Sequence, residues 1–212
     1  MVRWQRSCDD QHDLRLASET IVQVVDFNPR LDKSVYRDDL EVSFVPMAAV
    51  EAGSGRMEVS QTRQLAFVKK GYTPFSEGDV LFAKITSCME NGKMAVVPKL
   101  TNGLGFGSTE FHVLRPHQGI DPRYVYYFVS SQGFRREAAH RMTGAVGQKR
   151  VPQSFLEEAS IPVPLFDDQS EFMGSDPVNS PSLRAEDSHG SWYNYSRLVN
   201  PACGWRSARA KG

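Results

Sequence analysis

Short apolar runs separated by turn-forming residues fill the chain from about residue 41 to residue 115, and the period lengthens to a helical one after residue 121. EVSFVPMAAV (41–50) is apolar and partly β-branched, which predicts a strand running into a turn at Pro46. Residues 52–56 form a Gly/Ser turn, and 64–70 are a second short apolar run. Glu77-Gly78-Asp79 is a turn leading into the strand VLFAKI (80–85), which carries Lys84 among apolar neighbours. TSCMENG (86–92) is polar and ends in Asn91-Gly92, a hairpin signal, so 93–97 reads as the returning strand. TNGLGFG (101–107), with its repeated glycines, predicts a turn. Residues 109–114 alternate polar and apolar through Glu110, Phe111, His112 and Val113, as a half-buried strand does.

Asp121-Pro122 is a helix start, with aspartate as N-cap and proline at the first helical position. Tyr124, Tyr127 and Phe128 then fall on one face, and Gly133 separates this helix from a second over 134–142. TGAVG (143–147) is a loop, 151–158 a short helix with Pro152 at its start, and 159–163 a last strand that Pro162 and Pro164 place at an edge. The pattern predicts an α+β domain: a twisted, mostly antiparallel sheet with a few helices packed on it, cored by Val80, Phe82, Ile85, Val96, Phe111, Val113, Tyr127 and Phe128. It divides the chain into an N-terminal segment (1–38), a domain (39–169) and an irregular serine-rich tail (170–212).

Composition narrows the function classes. Lys+Arg and Asp+Glu are both 25, so the chain is formally neutral and any polyanion contact must come from a local basic patch. Cys8, Cys88 and Cys203 are far apart and form no CxxC pair, which argues against structural zinc and fits free thiols in a reducing cytoplasm. His12, His112, His117, His140 and His189 show no ligand spacing, so no metal is expected. MVRWQRSCDDQHDL lacks the apolar core of a signal peptide, and no apolar run is long enough to span a bilayer.

Catalytic signatures are missing. There is no GxxxxGK[ST] phosphate loop, GxSxG elbow or HExxH helix. Asn28-Pro29-Arg30 and Asn200-Pro201-Ala202 do not match the Asn/Asp-Pro-Pro-Tyr/Phe of amino-methyltransferases, and no Asp/Glu-x-Lys nuclease triplet occurs. Cys88, Glu90 and His112 could be drawn as nucleophile, acid and base, but their spacing has no special meaning. Positive charge is concentrated in GFRREAAHRMTGAVGQKR (133–150), with Arg135, Arg136, Arg141, Lys149 and Arg150 against one acid, Glu137. Such donors suit phosphates, while a solvated helix face is the alternative reading. The loop at 86–93 mixes donors and acceptors that suit base edges, or it is an ordinary surface hairpin.

Four ordered blocks, GDVLFAKITSCMENGKMAVV, GFGSTEFHVLRP, IDPRYVYYFVSSQGFRREA and MTGAVGQKRVPQSFLEEASIPVP, resemble the target-recognition domain of type I restriction–modification specificity subunits. The last block, Gly-Gln-Lys-Arg-Val-Pro followed by Phe155, Leu156 and Ile-Pro-x-Pro, is the most specific. The resemblance implies a non-catalytic module that reads double-stranded DNA. Full subunits of this family carry two such domains, each reading half of a split site, joined by long spacer helices that hold methylation subunits. The S-adenosylmethionine belongs to those subunits, and ATP-driven cleavage belongs to the restriction subunit, so no cofactor is expected here. Chemistry and resemblance together place DNA against the 86–93 hairpin, the 107–110 turn and the 147–150 loop. Lys84, Lys93, Lys149 and Arg150 are the phosphate candidates, and Glu90, Asn91, Thr109 and Gln148 the base-edge candidates. Thr86, Ser87, Ser108, Glu110 and Gly147 complete the expected DNA-binding set.

The sequence departs from the family after IPVPLFDDQ, where SEFMGSDPVNSPSLRAEDSHG has no helical period and carries Pro177 and Pro181. A single recognition domain without its spacer is therefore expected. The alternative to a working module is a truncated domain that folds but neither assembles nor binds DNA tightly; a second copy of the chain is a further candidate partner.

Overall fold

Val80, Leu81, Phe82 and Ala83 are all buried, so this strand has no solvent face. A strand reads as a continuous apolar run, without alternation, when both faces of its sheet are covered. That is the architecture of residues 17–163, which the structure, a computed structural model, describes. The predicted tail, residues 164–169 of the predicted domain and residues 1–16 lie outside the described residues.

The strands are β1 (Ala17–Thr20), β2 (Val25–Phe27), β3 (Glu41–Val45), β4 (Thr62–Gln64), β5 (Thr73–Ser76), β6 (Val80–Ala83), β7 (Met94–Val96), β8 (Leu104–Gly107), β9 (Phe111–Pro116) and β10 (Ser160–Val163). The α-helices are α1 (Leu65–Val68), α2 (Pro122–Ser130), α3 (Gln132–Arg141) and α4 (Gln153–Glu158). The expected α+β class holds, but the strands divide into two four-stranded sheets and a ribbon. One sheet, in the order β2-β9-β6-β7, is antiparallel throughout. The other, β4-β3-β8-β5, has one parallel pair, β3 with β8. The ribbon pairs β1 with β10, which puts β10 at an edge as its prolines predict.

The layers follow from which side chains point where. Val80, Phe82 and Leu114 pack with Tyr124, Val125, Phe128, Val129 and Phe134 under α2 and α3. Leu81, Ala83, Phe111 and Val113 face the opposite way, toward Val45 and Phe75 of the second sheet and Val50 beyond the end of β3. The far side of that sheet is closed by Val42, Phe44, Leu104 and Phe106 against Leu65 and Val68 of α1. Among the expected core residues, Val80, Phe82, Phe111, Val113 and Phe128 are buried, while Ile85, Val96 and Tyr127 are half-buried.

Three expectations are corrected. TNGLGFG is a turn only in its first part: a 3-10 turn at Thr101–Gly103 leads into β8, which lies inside its sheet. Its glycines serve close approach. A Cβ on Gly105 would lie 2.1 Å from the Phe75 ring, and one on Gly107 would lie 2.4 Å from Val45 O. Nor is β9 half-buried, because Phe111, His112, Val113 and Leu114 are all buried beneath cover on both faces. Finally, α2 and α3 break at Ser131 rather than at Gly133, because the Ser131 hydroxyl accepts from Phe134 N and caps α3. The Asp121-Pro122 helix start stands, with Asp121 accepting from Arg123 N at 2.8 Å.

From residue 17 onward the N-terminal segment is woven into the same core. Ile21, Val24 and Val25 are buried with α2 and α4, and β2 pairs with β9. Tyr124 Oη donates to Pro162 O, tying α2 to the ribbon. At the end of the first sheet where β6 begins, Asp79 is 1% exposed and accepts from Arg115 Nε and Nη2, both at 2.8 Å, and from Ser76 N at 2.7 Å.

Candidate nucleic-acid interface

Because β6 runs antiparallel to both neighbours, its C-terminal end lies beside the start of β9 and the start of β7. The loops at 84–93 and 108–110 therefore emerge at one end of the first sheet. The segment 143–150 is brought to the same place by backbone pairing. Thr86 N donates to Lys149 O at 2.9 Å, Val151 N to Lys84 O at 2.8 Å, and Lys84 N to Glu110 O at 2.9 Å. Three stretches far apart in sequence thus form one surface.

Loop 143–150 is closed at its base by a reciprocal pair, Thr143 N to Arg150 O at 3.0 Å and Arg150 N to Thr143 O at 2.8 Å. Everything between is exposed, including Gly147, Gln148 and Lys149. Gly144 has φ +123°, and a Cβ there would meet Gln148 O at 2.9 Å, so the narrow neck of the loop requires glycine. The loop's flank is fixed by Arg150, whose Nε and Nη2 lie 2.9 and 2.7 Å from the Glu110 carboxylate. That guanidinium holds the Glu110 carboxyl below its ordinary pKa, against a smaller opposing effect of burial.

The loop after β6 is wound rather than a two-residue hairpin turn. Met89 N bonds Ile85 O, Asn91 N bonds Ser87 O, and Met89 itself is fully buried. Arg135 reaches from α3 to donate to Glu90 O at 2.7 Å and Ser130 O at 2.9 Å. Lys93 turns inward, its Nζ donating to Val50 O at 2.7 Å and Met47 O at 3.2 Å. Ser87, Glu90 and Asn91 are exposed, and Thr86 Oγ1 donates to Lys149 O at 3.3 Å. On the middle loop Thr109 is exposed, and Ser108 Oγ accepts from Glu110 N at 3.2 Å.

The predicted residues therefore divide by orientation. Lys84, Thr86, Ser108, Glu110 and Arg150 knit the surface together, and Lys93 braces it from behind. Ser87, Glu90, Asn91, Thr109, Gly147, Gln148 and Lys149 point outward. Two of the five cations in the basic cluster are neutralised internally, Arg150 by Glu110 and Arg141 by Glu137. Arg136 and Lys149 are exposed and have no ion pair among the described residues.

A buried network that the sequence did not announce supports the 143–150 loop. His112, 5% exposed, sets Nε2 2.9 Å from Val151 O, so that nitrogen carries the proton. Its Nδ1 faces Asn28 Nδ2 at 3.4 Å, and Asn28 Nδ2 also donates to Gln153 Oε1 at 2.7 Å. Burial pushes the His112 pKa down, as an imidazole with both nitrogens used in its neutral form requires. His112 is thus committed to structure. Cys88 packs half-buried against the inter-sheet core, and no hydrogen bond joins it to His112 or to the Glu90 side chain.

A family model described as the type I restriction modification DNA specificity domain matches residues 20–173. The chain is 40% identical over 154 residues to the type I restriction enzyme EcoAI specificity subunit of Escherichia coli, covering 71% of this chain and 25% of that protein. It is 35% identical over 179 residues to the EcoEI specificity subunit of the same organism, covering 80% of this chain and 30% of that one. The chain thus spans about a quarter to a third of the length of these relatives. Its fold resembles a chain from a structurally described type I R-M system, with TM-score 0.58, 20% identity and coverage of 74% of this chain and 40% of that one. The HsdS subunit of Thermoanaerobacter tengcongensis aligns with TM-score 0.56 and 16% identity over the same shares. No described helix is long and apolar enough to cross a membrane. With the family model matching well over half of its length, the chain belongs to the type I restriction modification DNA specificity domain family.

Proposed function

We propose that this chain reads one half of a split DNA site, through the surface made by loops 86–93, 108–110 and 143–150. The observation that carries this reading is the convergence of those three loops on one sheet end, where outward-facing amide, hydroxyl and ammonium groups stand on a braced base. Lys149 neutralises a phosphate from the exposed loop, two residues after Gly147, where the backbone can come close to the duplex. Gln148 and Asn91, each with a paired donor and acceptor, suit adenine in the major groove, and Thr109, Ser87 and Glu90 suit other base edges. Arg150, Glu110 and Lys93 act from beneath by holding the loops. The neutral overall charge favours a local, oriented contact over general adhesion to polyanions.

Within a type I system the chain directs methylation and restriction subunits to DNA and performs no chemistry itself, in the cytoplasm. The matched region is 25% and 30% of the length of the two E. coli subunits, which fits a single recognition domain. The test is selection of binding sites from random duplexes with the full chain, followed by co-purification with methylation subunits. A consensus of a few base pairs is the expected result. Recovery of unenriched sequence at every salt concentration rejects the reading and leaves a folded domain without DNA-binding activity.

A further inference from the structure

Val146 is 96% exposed, the most exposed of the large hydrophobic side chains Val22, Val35, Phe67 and Val146 that reach solvent among the described residues. It differs from the other three in position, because it occupies the tip of loop 143–150 beside Gln148 and Lys149. Gln148 N donates to Ala145 O at 3.0 Å, which makes 145–148 a β-turn with Val146 at its first corner and Gly147 at its second. Gly147 has φ +77° and Val146 has no positive φ, the signature of a type II turn. That corner favours proline and gives a β-branched side chain nothing to pack against. The neck below the tip is also closed. The Thr143–Arg150 pair closes the neck, the Glu110–Arg150 ion pair fixes its flank, and Gly144 admits no side chain. Val146 therefore presents its methyl groups to solvent at the tip of a braced loop, beside polar groups suited to DNA.

The apolar feature that the major groove offers is the C5 methyl of a pyrimidine, and small aliphatic side chains are its usual contacts. We propose that Val146 is a specificity-determining residue that packs on the methyl of a thymine in the recognised half-site. This rests on the reading of the loop surface as a DNA interface. In unmodified DNA thymine alone carries that methyl. A 5-methylcytosine would present the same group, and the duplexes below separate the two.

The experiment uses the full chain and its selected duplex, with each thymidine replaced singly by deoxyuridine. At one position the wild type should bind the deoxyuridine duplex about three- to fivefold more weakly, the effect of burying one methyl group. Val146→Ala should bind the thymidine and deoxyuridine duplexes equally at that position, with an unchanged melting temperature because the side chain touches nothing in the chain. Replacing that base pair by 5-methyl-deoxycytidine–guanosine should not restore wild-type affinity, since the donors and acceptors on the major-groove edge then differ. A wild type indifferent to every thymidine methyl, or a Val146→Ala chain that keeps full methyl sensitivity, overturns the proposal while leaving DNA recognition standing. A chain that selects no duplex at all overturns both.

Discussion

Glu110 and Arg150 allow the electrostatics of the loop surface to be tested by sign. The pair is bidentate, at 2.9 and 2.7 Å, but the two side chains retain 24% and 43% of their exposure. Solvent screening therefore limits its contribution, which lies toward the upper end for exposed pairs because the geometry is bidentate. Glu110→Ala and Arg150→Ala should each lower the melting temperature by only a few degrees, as loss of an exposed pair does. Their effects on DNA should be opposite. The intact pair contributes no net charge to a phosphate surface, so removing the acid leaves a free guanidinium and removing the base leaves a bare carboxylate. Glu110→Ala should steepen the salt dependence by about 0.9 log units per log unit of salt, a relative change of about threefold between 50 and 200 mM. Arg150→Ala should flatten it by a similar amount. The assay is fluorescence anisotropy on selected and scrambled duplexes across a salt series, alongside thermal melts. Equal losses of affinity for both variants would refute the charge argument and reduce the pair to a brace. A melting shift beyond about 10 °C would show that it belongs to the core.

Three further outcomes test the scaffold. Gly105→Ala drives a methyl into the Phe75 ring at 2.1 Å and should cost about 3 kcal/mol as a buried overpacking, read by denaturant unfolding. Asp79→Ala strips the buried carboxylate from Arg115 and Ser76 N and should cost about 2–4 kcal/mol, less than a fully buried pair because Arg115 is 39% exposed. It lies at the opposite end of β6 from the loops, so the affinity of the molecules that remain folded should not change. His112 has a folded pKa below its ordinary 6.5, so its contribution is complete above that value. It is lost as pH falls through the interval down to the depressed pKa, because the unfolded chain then takes up a proton that the folded one refuses. His112→Gln should flatten that part of the pH–stability profile, measured by urea titrations between pH 7 and pH 5.

The elements that sequence made legible are those where one local signal dominates. VLFAKI announced a strand, though not its cover on both faces, and Asp121-Pro122 announced α2 through capping chemistry. TNGLGFG misled because glycines look the same whether they bend the chain or let Phe75 lie against it. The alternation around His112 suggested a wet face because the cover comes from Asn28 and Gln153, 84 and 125 residues apart from their partners in that network. The surface itself was legible in outline. Ordered sequence blocks and a local excess of cations pointed to 147–150, and the three predicted loops do meet. Which cations face outward was not legible, since Arg150 finds Glu110 at a separation of 40 residues and Lys93 finds carbonyls more than that away. Val146 carried no sequence signal, because one valine in a glycine-flanked loop is ordinary until its exposure is known.

The most direct test of the central claim is the specificity ratio of Gln148→Ala, its affinity for the selected duplex divided by its affinity for a scrambled one, set against the wild-type ratio at the same salt. Loss of a bidentate contact to a base should lower affinity for the selected duplex by about 1–3 kcal/mol and leave the scrambled duplex unaffected, so the ratio should fall by about five- to 150-fold. Lys149→Ala should keep the ratio while weakening both duplexes together. An unchanged ratio for Gln148→Ala would contradict the assignment of base readout to this loop.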